Sequence, residues 1–211
     1  MIIQRCKKGF SLIELLVAMA ASSILMAGIY SFYFAQTKSN RTQQSVVQMQ
    51  QNMRAGMYLL EREIRMAGYS ATNPLAIAGF VQNFGTFGGS HAGSGATTDA
   101  NNVAFTVDSD DSGAIDTGAP LAAFELIAFR HNAVNNTLQR WDGSSGQWQV
   151  AAEQISSLSF TYYREDDSQI PFPLNALDMA DIRSIEVAIE ATSDDRTMNH
   201  TNKIKCRNMG Y

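Results

Sequence analysis

The sequence predicts an α+β protein in which one long N-terminal helix packs on an antiparallel β-sheet head. Three observations carry that prediction. Residues 10–35 form a 26-residue apolar run with a single charge, Glu14. Val46, Met49, Met53, Met57, Leu60, Ile64 and Ala67 then recur every three or four positions, the spacing of one helix face. From Asn102 onward short stretches alternate apolar with polar residues, as half-buried strands do.

A chain of 211 residues, 45% apolar and 17% charged, has room for one membrane-spanning element and one medium-sized domain. Residues 1–9 form a basic leader ending at Gly9, and its Arg5, Lys7 and Lys8 hold this end on the cytoplasmic side by the positive-inside rule. The run 10–35 exceeds the roughly 18–20 residues a spanning helix needs and the roughly 7–15 of a secretory signal core. Ala18-Met19-Ala20 does have the small-x-small form of a signal-peptidase site, which would make 10–17 the signal core. That core would contain the carboxylate of Glu14, and the helical pattern runs through the cut without a break.

Between residues 36 and 68 the chain turns polar but keeps helical spacing, with no proline before Pro74 and Gly68 placed as a C-terminal cap. One helix over 10–67 follows, transmembrane in its first half (10–35) and amphipathic in its second (36–68). Residues 69–101 are a Gly-, Ser-, Ala- and Asn-rich connection, anchored by Phe80, Phe84 and Phe87 and draped over the head domain, 69–211. Strands are expected at 103–107, 124–130, 137–141, 147–150, 158–163, 185–191 and 203–207, with 142–146 as a five-residue hairpin turn. Such a sheet needs one apolar face covered, and the stripe on 46–67 is the natural cover.

The charge balance bounds the partners. The formal net charge is −4, and without residues 1–9 the chain has 13 basic against 20 acidic residues, a net charge of −7. A surplus of acid argues against nucleic acid, whose phosphates need clustered Lys and Arg. Cys6 lies in the leader, so a chain that loses it keeps only Cys206, read as a small buried residue of a last strand ahead of a reactive or intermolecular thiol, and forms no internal disulfide.

One stretch has ligand-like spacing. In Asp108-Ser109-Asp110-Asp111-Ser112-Gly113-Ala114-Ile115-Asp116, oxygens from Asp108, Asp110, Ser112 and Asp116 fall at loop positions 1, 3, 5 and 9. Gly113 stands at position 6 and the Ala114 carbonyl at 7. A hard ion such as calcium uses this pattern to gather six or more oxygens. Position 12 is Ala119 rather than a closing glutamate, leaving Glu125 or water to complete the shell. The competing reading is an Asp-Ser-Gly surface turn. No cofactor is required by the sequence, and calcium is the one ion it raises.

Enzyme readings find little support. His91, His131 and His200 are scattered, HExxH and CxxC are absent, and Gly88-Gly89-Ser90-His91-Ala92 misses GxSxG. Residues 88–95 also lack the GxxxxGK[ST] of a phosphate loop. Glu61 and Arg65 stand at i,i+4 helix spacing, and Asp166-Asp167 and Asp194-Asp195 read as exposed turns. The chain is not expected to be an enzyme.

The stretch Lys7-Lys8-Gly9-Phe10-Ser11-Leu12-Ile13-Glu14-Leu15 resembles the prepilin cleavage and methylation signature of the type IV pilin and pseudopilin superfamily. The resemblance implies cleavage after Gly9 by the prepilin peptidase and N-methylation of Phe10. It also implies a wait in the inner membrane, N-terminus cytoplasmic and head periplasmic, before incorporation into a pilus or pseudopilus filament. The partners it implies are minor and major pilins, the assembly platform and, before assembly, the lipid bilayer. Glu14 has a physical reason to matter for assembly: a carboxylate at mid-bilayer costs about 2.5–3.5 kcal/mol on insertion scales. It stands only four residues from the new terminus, so it can snorkel before assembly and pair in the filament with a neighbouring subunit's Phe10 amine. Residues 51–54 and 60–69, with Leu138-Gln139-Arg140, 155–163 and Arg207-Asn208, are similar to PilW-type minor pilins. The GspJ-type pseudopilins of type II secretion share the architecture. Major pilins usually close with a disulfide-bounded loop, so one remaining cysteine favours a minor subunit. Outside that class stand a membrane-anchored periplasmic binding module and a secreted enzyme cut at Ala20.

Overall fold

A computed structural model describes residues 9–70, 79–83, 95–115, 125–143, 145–193 and 196–209. Of the expectations above, the leader with Cys6, Phe84, Phe87, residues 88–94, Asp116, Ala119 and Asp194-Asp195 lie outside the described residues. The chain divides into two compact units, one ending at Ser45 and one beginning at Val46.

Helix α1 runs Leu12–Ile64, 53 residues. It stops a little short of the expected end because its last turn tightens. Met66 N–H donates to the Glu63 carbonyl at 3.0 Å and Ala67 N–H to that of Ile64 at 3.1 Å, both i→i−3 bonds. Gly68 then takes the left-handed conformation, φ 73°, that a residue with a Cβ resists. Its N–H donates to the Thr106 carbonyl at 2.9 Å, passing the chain directly to the sheet.

The second unit is the head, and the stripe does cover it. Met49, Met53, Met57, Leu60, Ile64 and Ala67 are buried, as is Gly56 between them, while Val46 is only half-buried. Each large apolar side chain taken fully from water contributes roughly 1.5–3 kcal/mol. These residues form one cluster with Val103 and Phe105, Phe129, Leu138, Phe160 and Val187.

Two four-stranded antiparallel sheets occur where one was expected. The first contains β1 (Asn102–Thr106), β2 (Leu126–Asn132), β3 (Thr137–Asp142) and β4 (Gln147–Ala152), in that order. The second has β5 (Ile155–Tyr163), β6 (Gln169–Ile170), β7 (Ser184–Ser193) and β8 (Arg196–Lys205), in the order β6-β5-β7-β8. They separate at Gln154, whose φ of 61° turns the chain sharply. β5 therefore leaves β4 and pairs with β7 instead, Leu158 opposite Ile189 and Phe160 opposite Val187.

The dense apolar run of β2 has a specific cause: the first sheet is covered on both faces. Ile127 and Phe129 face the main core, while Leu126, Ala128, Ala104 and Trp141 form a second cluster with Ala96. Thr98 pins the covering segment, its hydroxyl donating to the Val81 and Ala104 carbonyls at 2.6 and 2.8 Å. Between β3 and β4 the Gly146 N–H closes the turn on the Asp142 carbonyl at 2.9 Å.

Helix α2 (Ala176–Asp181) and the two-residue strand β6 escaped the sequence reading, and β8 was read only in its last part. Helix α2 is short but fully boxed, the Asn175 side chain capping Leu177 and Asp178 N–H while Asp178 reaches back to Asn175 N–H. β8 starts seven residues before the expected 203 and stops at Lys205. Apart from Met198, its residues 197–202 are polar and largely exposed, so no apolar alternation announces them; the backbone ladder with β7, from Ser193/Arg196 to Ser184/Lys205, holds the strand.

Candidate functional site: the N-terminal helix and an acidic loop

Gly9 and Phe10 precede the helix, and Phe10 is 92% exposed. Ser11 stands just outside the first turn and Glu14 inside it. The Glu14 carboxylate accepts a hydrogen bond from the Ser11 N–H at 2.9 Å, the reciprocal half of a capping box. Its negative charge also lies at the positive end of the helix dipole. Sequence reasoning supplied Glu14 with an assembly role; the structure adds this local partner.

The first half of α1 has the surface of a helix built for an apolar medium. Its most apolar 18-residue window has a mean hydropathy of 2.1, and none of that window is buried in the chain. Leu12, Ile24, Leu25, Phe32 and Phe34 are all exposed. The hydroxyls embedded in this surface satisfy themselves: Ser22, Ser23 and Ser31 donate to carbonyls four residues back at 2.7, 2.8 and 2.9 Å. In lipid, where no water can replace a missing partner, that pairing matters.

The acidic loop is more organised than its sequence implied. Asp108 is fully buried; its carboxylate accepts from the Ser70 hydroxyl at 2.8 Å and from Ser112 and Gly113 N–H at 3.0 Å each. Burial by itself would raise its pKa, but these hydrogen bonds outweigh burial and hold the carboxyl below the usual carboxylate value. Asp110 accepts from Ser112 N–H at 3.0 Å, and the Ser112 hydroxyl donates to the Ala114 carbonyl at 3.1 Å. Left-handed Asp111 and Gly113, φ 59° and 79°, bend the backbone to allow this. Glu125, fully buried at the foot of β2, brings an oxygen within 4.8 Å of oxygens of Asp108 and Asp110. Three carboxylates therefore meet where the spacing lacked a closing glutamate at residue 119. Asp116 lies outside the described residues. This donor set is all oxygen and mostly buried, which suits calcium, although the same carboxylates already serve backbone amides.

A half-buried ion pair was not legible in the sequence. Arg140 on β3 sends its Nε to both carboxylate oxygens of Glu63 on α1, at 2.9 and 3.2 Å. The i,i+4 pair of Glu61 and Arg65 forms as its spacing indicated. Cys206 is buried just past β8, without a disulfide among the described residues. Burial pushes its thiol up to about 12, while Arg183 pulls in the opposite direction.

An unburied apolar helix half with one carboxylate in its first turn, continued by a half that covers a β-rich head, defines a prepilin-type, pilin-like protein. The prokaryotic N-terminal methylation motif matches residues 4–30. The chain belongs to the prepilin peptidase-dependent protein B family, whose model matches residues 42–207, most of α1's second half and nearly the whole head. No curated protein matches it.

Proposed function

We propose that this chain is a minor pilin of the PilW type, cut after Gly9, N-methylated on Phe10 and incorporated through α1 to prime or cap a type IV pilus. Before assembly it sits in the inner membrane with the head in the periplasm. The observation that carries this reading is the pairing of an unburied apolar helix surface with the single carboxylate of Glu14. In a lipid-free filament that surface finds neighbouring helices, and Glu14 exchanges the Ser11 amide for the cationic N-terminus of an adjacent subunit. A charge-assisted bond is roughly twice as strong as a neutral one, so the exchange favours incorporation. N-terminal sequencing with mass spectrometry tests the processing: methyl-Phe10 is expected, Ala21 would mean secretion, and Met1 an uncleaved anchor carrying a binding module. A deletion strain tests the destination. Loss of surface pili supports the minor pilin; loss of secreted enzymes with pili intact would instead assign a GspJ-like pseudopilin.

A second reading concerns the acidic loop, favoured by the convergence of Glu125 on Asp108 and Asp110. It binds calcium through these carboxylates with Ser112, the Ala114 carbonyl and Asp116, and the ion ties the loop to β2. Calorimetry at millimolar calcium, with chelation before thermal melting, tests it: no heat of binding and an unchanged melting temperature would leave the loop a turn.

A further inference from the structure

The end of the second sheet holds a cleft of about 890 Å³ within the head. Its lining contains Arg65, Arg164, Arg183, Lys203, Lys205 and Arg207 against only two carboxylates, Glu165 and Asp167. That concentration of positive charge stands on a chain whose net charge is −4. Three of the cations are already matched. Lys203 pairs with Asp167 at 2.6 Å, Arg164 with Asp178 at 3.1 Å and Asp181 at 3.6 Å, and Arg65 with Glu61. The other three are not. Among the described residues the Arg183 side chain donates only to the carbonyls of Ala180 and Ile182, at 2.6 and 3.1 Å. Lys205 and Arg207 are exposed and have no ion-pair partner among the described residues. The buried Cys206 thiol in the same wall is neutral near pH 7 and adds no compensating charge.

β8 borders this cleft and, among the described residues, is the outermost strand of its sheet and pairs with β7 alone. Its other edge presents backbone N–H and C=O groups that a further strand can take up.

We infer that the cleft is a docking site for an acidic, extended segment of another protein, whose carboxylates engage Arg183, Lys205 and Arg207 and whose backbone adds to the free edge of β8. Two features favour a polypeptide over a phosphate polymer. Glu165 and Asp167 within the lining repel a densely charged polyanion but leave room for carboxylates spaced along a chain. Backbone pairing along β8 is open only to a peptide. The exposed ion pairs make the association dependent on salt, because a screening length of about 8 Å at physiological ionic strength is comparable to the spacing of such charges. The inference does not depend on which filament the chain joins.

The test uses the full chain in detergent and a fluorescein-labelled decapeptide of alternating Glu and Thr, followed by fluorescence anisotropy. Saturable binding is expected, weakened at least ten-fold by the double variant Lys205→Glu, Arg207→Glu. Arg54→Glu, an exposed cation of α1 outside the cleft lining, should leave it unchanged, and a Gln-for-Glu peptide should not bind. Melting temperatures of the variants are compared first; if charge reversal lowers them, Lys205→Gln with Arg207→Gln replaces it, with weakened binding again expected. Absence of saturable binding, or equal affinity in the double variant and Arg54→Glu, overturns the proposal. So does tighter binding of inorganic polyphosphate with the same dependence on Lys205 and Arg207, which would make the cleft a phosphate site.

Discussion

Replacing Gly56 with leucine tests how closely α1 lies on the first sheet. Gly56 is buried in α1 over β3 and β4, and a Cβ placed on it would stand 3.1 Å from Leu138 Cδ2 and 3.3 Å from Ala152 Cβ. Two effects oppose each other. Leucine is a better helix former than glycine by about 0.8 kcal/mol at an interior position. Against this, overpacking a tight core costs typically 1–3 kcal/mol and sometimes more. The crowding here begins at the first carbon, so the remaining three have no free volume and the upper part of that range applies. The net expectation is a loss of about 2 kcal/mol, or about 4–8 °C in melting temperature for a domain of this size. Circular dichroism melting of the full chain in detergent measures it. Gly28→Leu is the control, because a Cβ there meets nothing within 4 Å. A Gly56→Leu head as stable as the parent would refute the close approach of helix and sheet.

Four further outcomes are expected. Glu14→Ala should leave membrane insertion intact and impair incorporation into filaments, read by fractionation against sheared pili; normal incorporation would remove Glu14 from assembly. Glu63→Gln with Arg140→Leu, in a double-mutant cycle, should show a coupling of about 1 kcal/mol, the high end for such pairs because both side chains are mostly covered. On acidification, Asp99 and Asp108 should destabilise the head. Burial opposes ionisation of each, but hydrogen bonds (from Asn102, Asn101 and Thr97 to Asp99) hold the pKa below 3.8, so their stabilisation is present above that value and is lost as pH falls through the lower folded one. Asp99→Asn should flatten the acid limb of the melting profile, and an unchanged limb would contradict this assignment. Finally, a maleimide should label Cys206 at pH 8 only after denaturation, since the buried thiol titrates near 12; rapid labelling of the native chain would contradict its burial.

Much of this architecture was legible in the sequence because it follows from local periodicity. Met49 through Ile64 repeat at helical spacing, and that alone placed the buried face of α1. Gly68 marked the helix end because few other residues take a φ of 73° without strain. Leu158, Phe160 and Tyr162 announced β5 by strict alternation. The first part of β8 remained hidden because backbone pairing with β7, rather than burial, makes residues 196–202 a strand. α2 was hidden because its six residues bury only Met179.

By itself, the sequence determined the two-part plan: a bare apolar helix with a carboxylate in its first turn, then an amphipathic half, then a β-rich head. Those features are set by residue type at short range, so no neighbour is needed to read them. Only the tertiary structure decided that the strands divide into two sheets at Gln154 and that Glu125 joins Asp108 and Asp110. It alone brought Arg140 to Glu63, 77 residues apart, and Arg65, Arg183 and Arg207 into one cleft. Strand pairing and chain reversal create these meetings between residues distant in sequence, and no local pattern encodes which strands will pair.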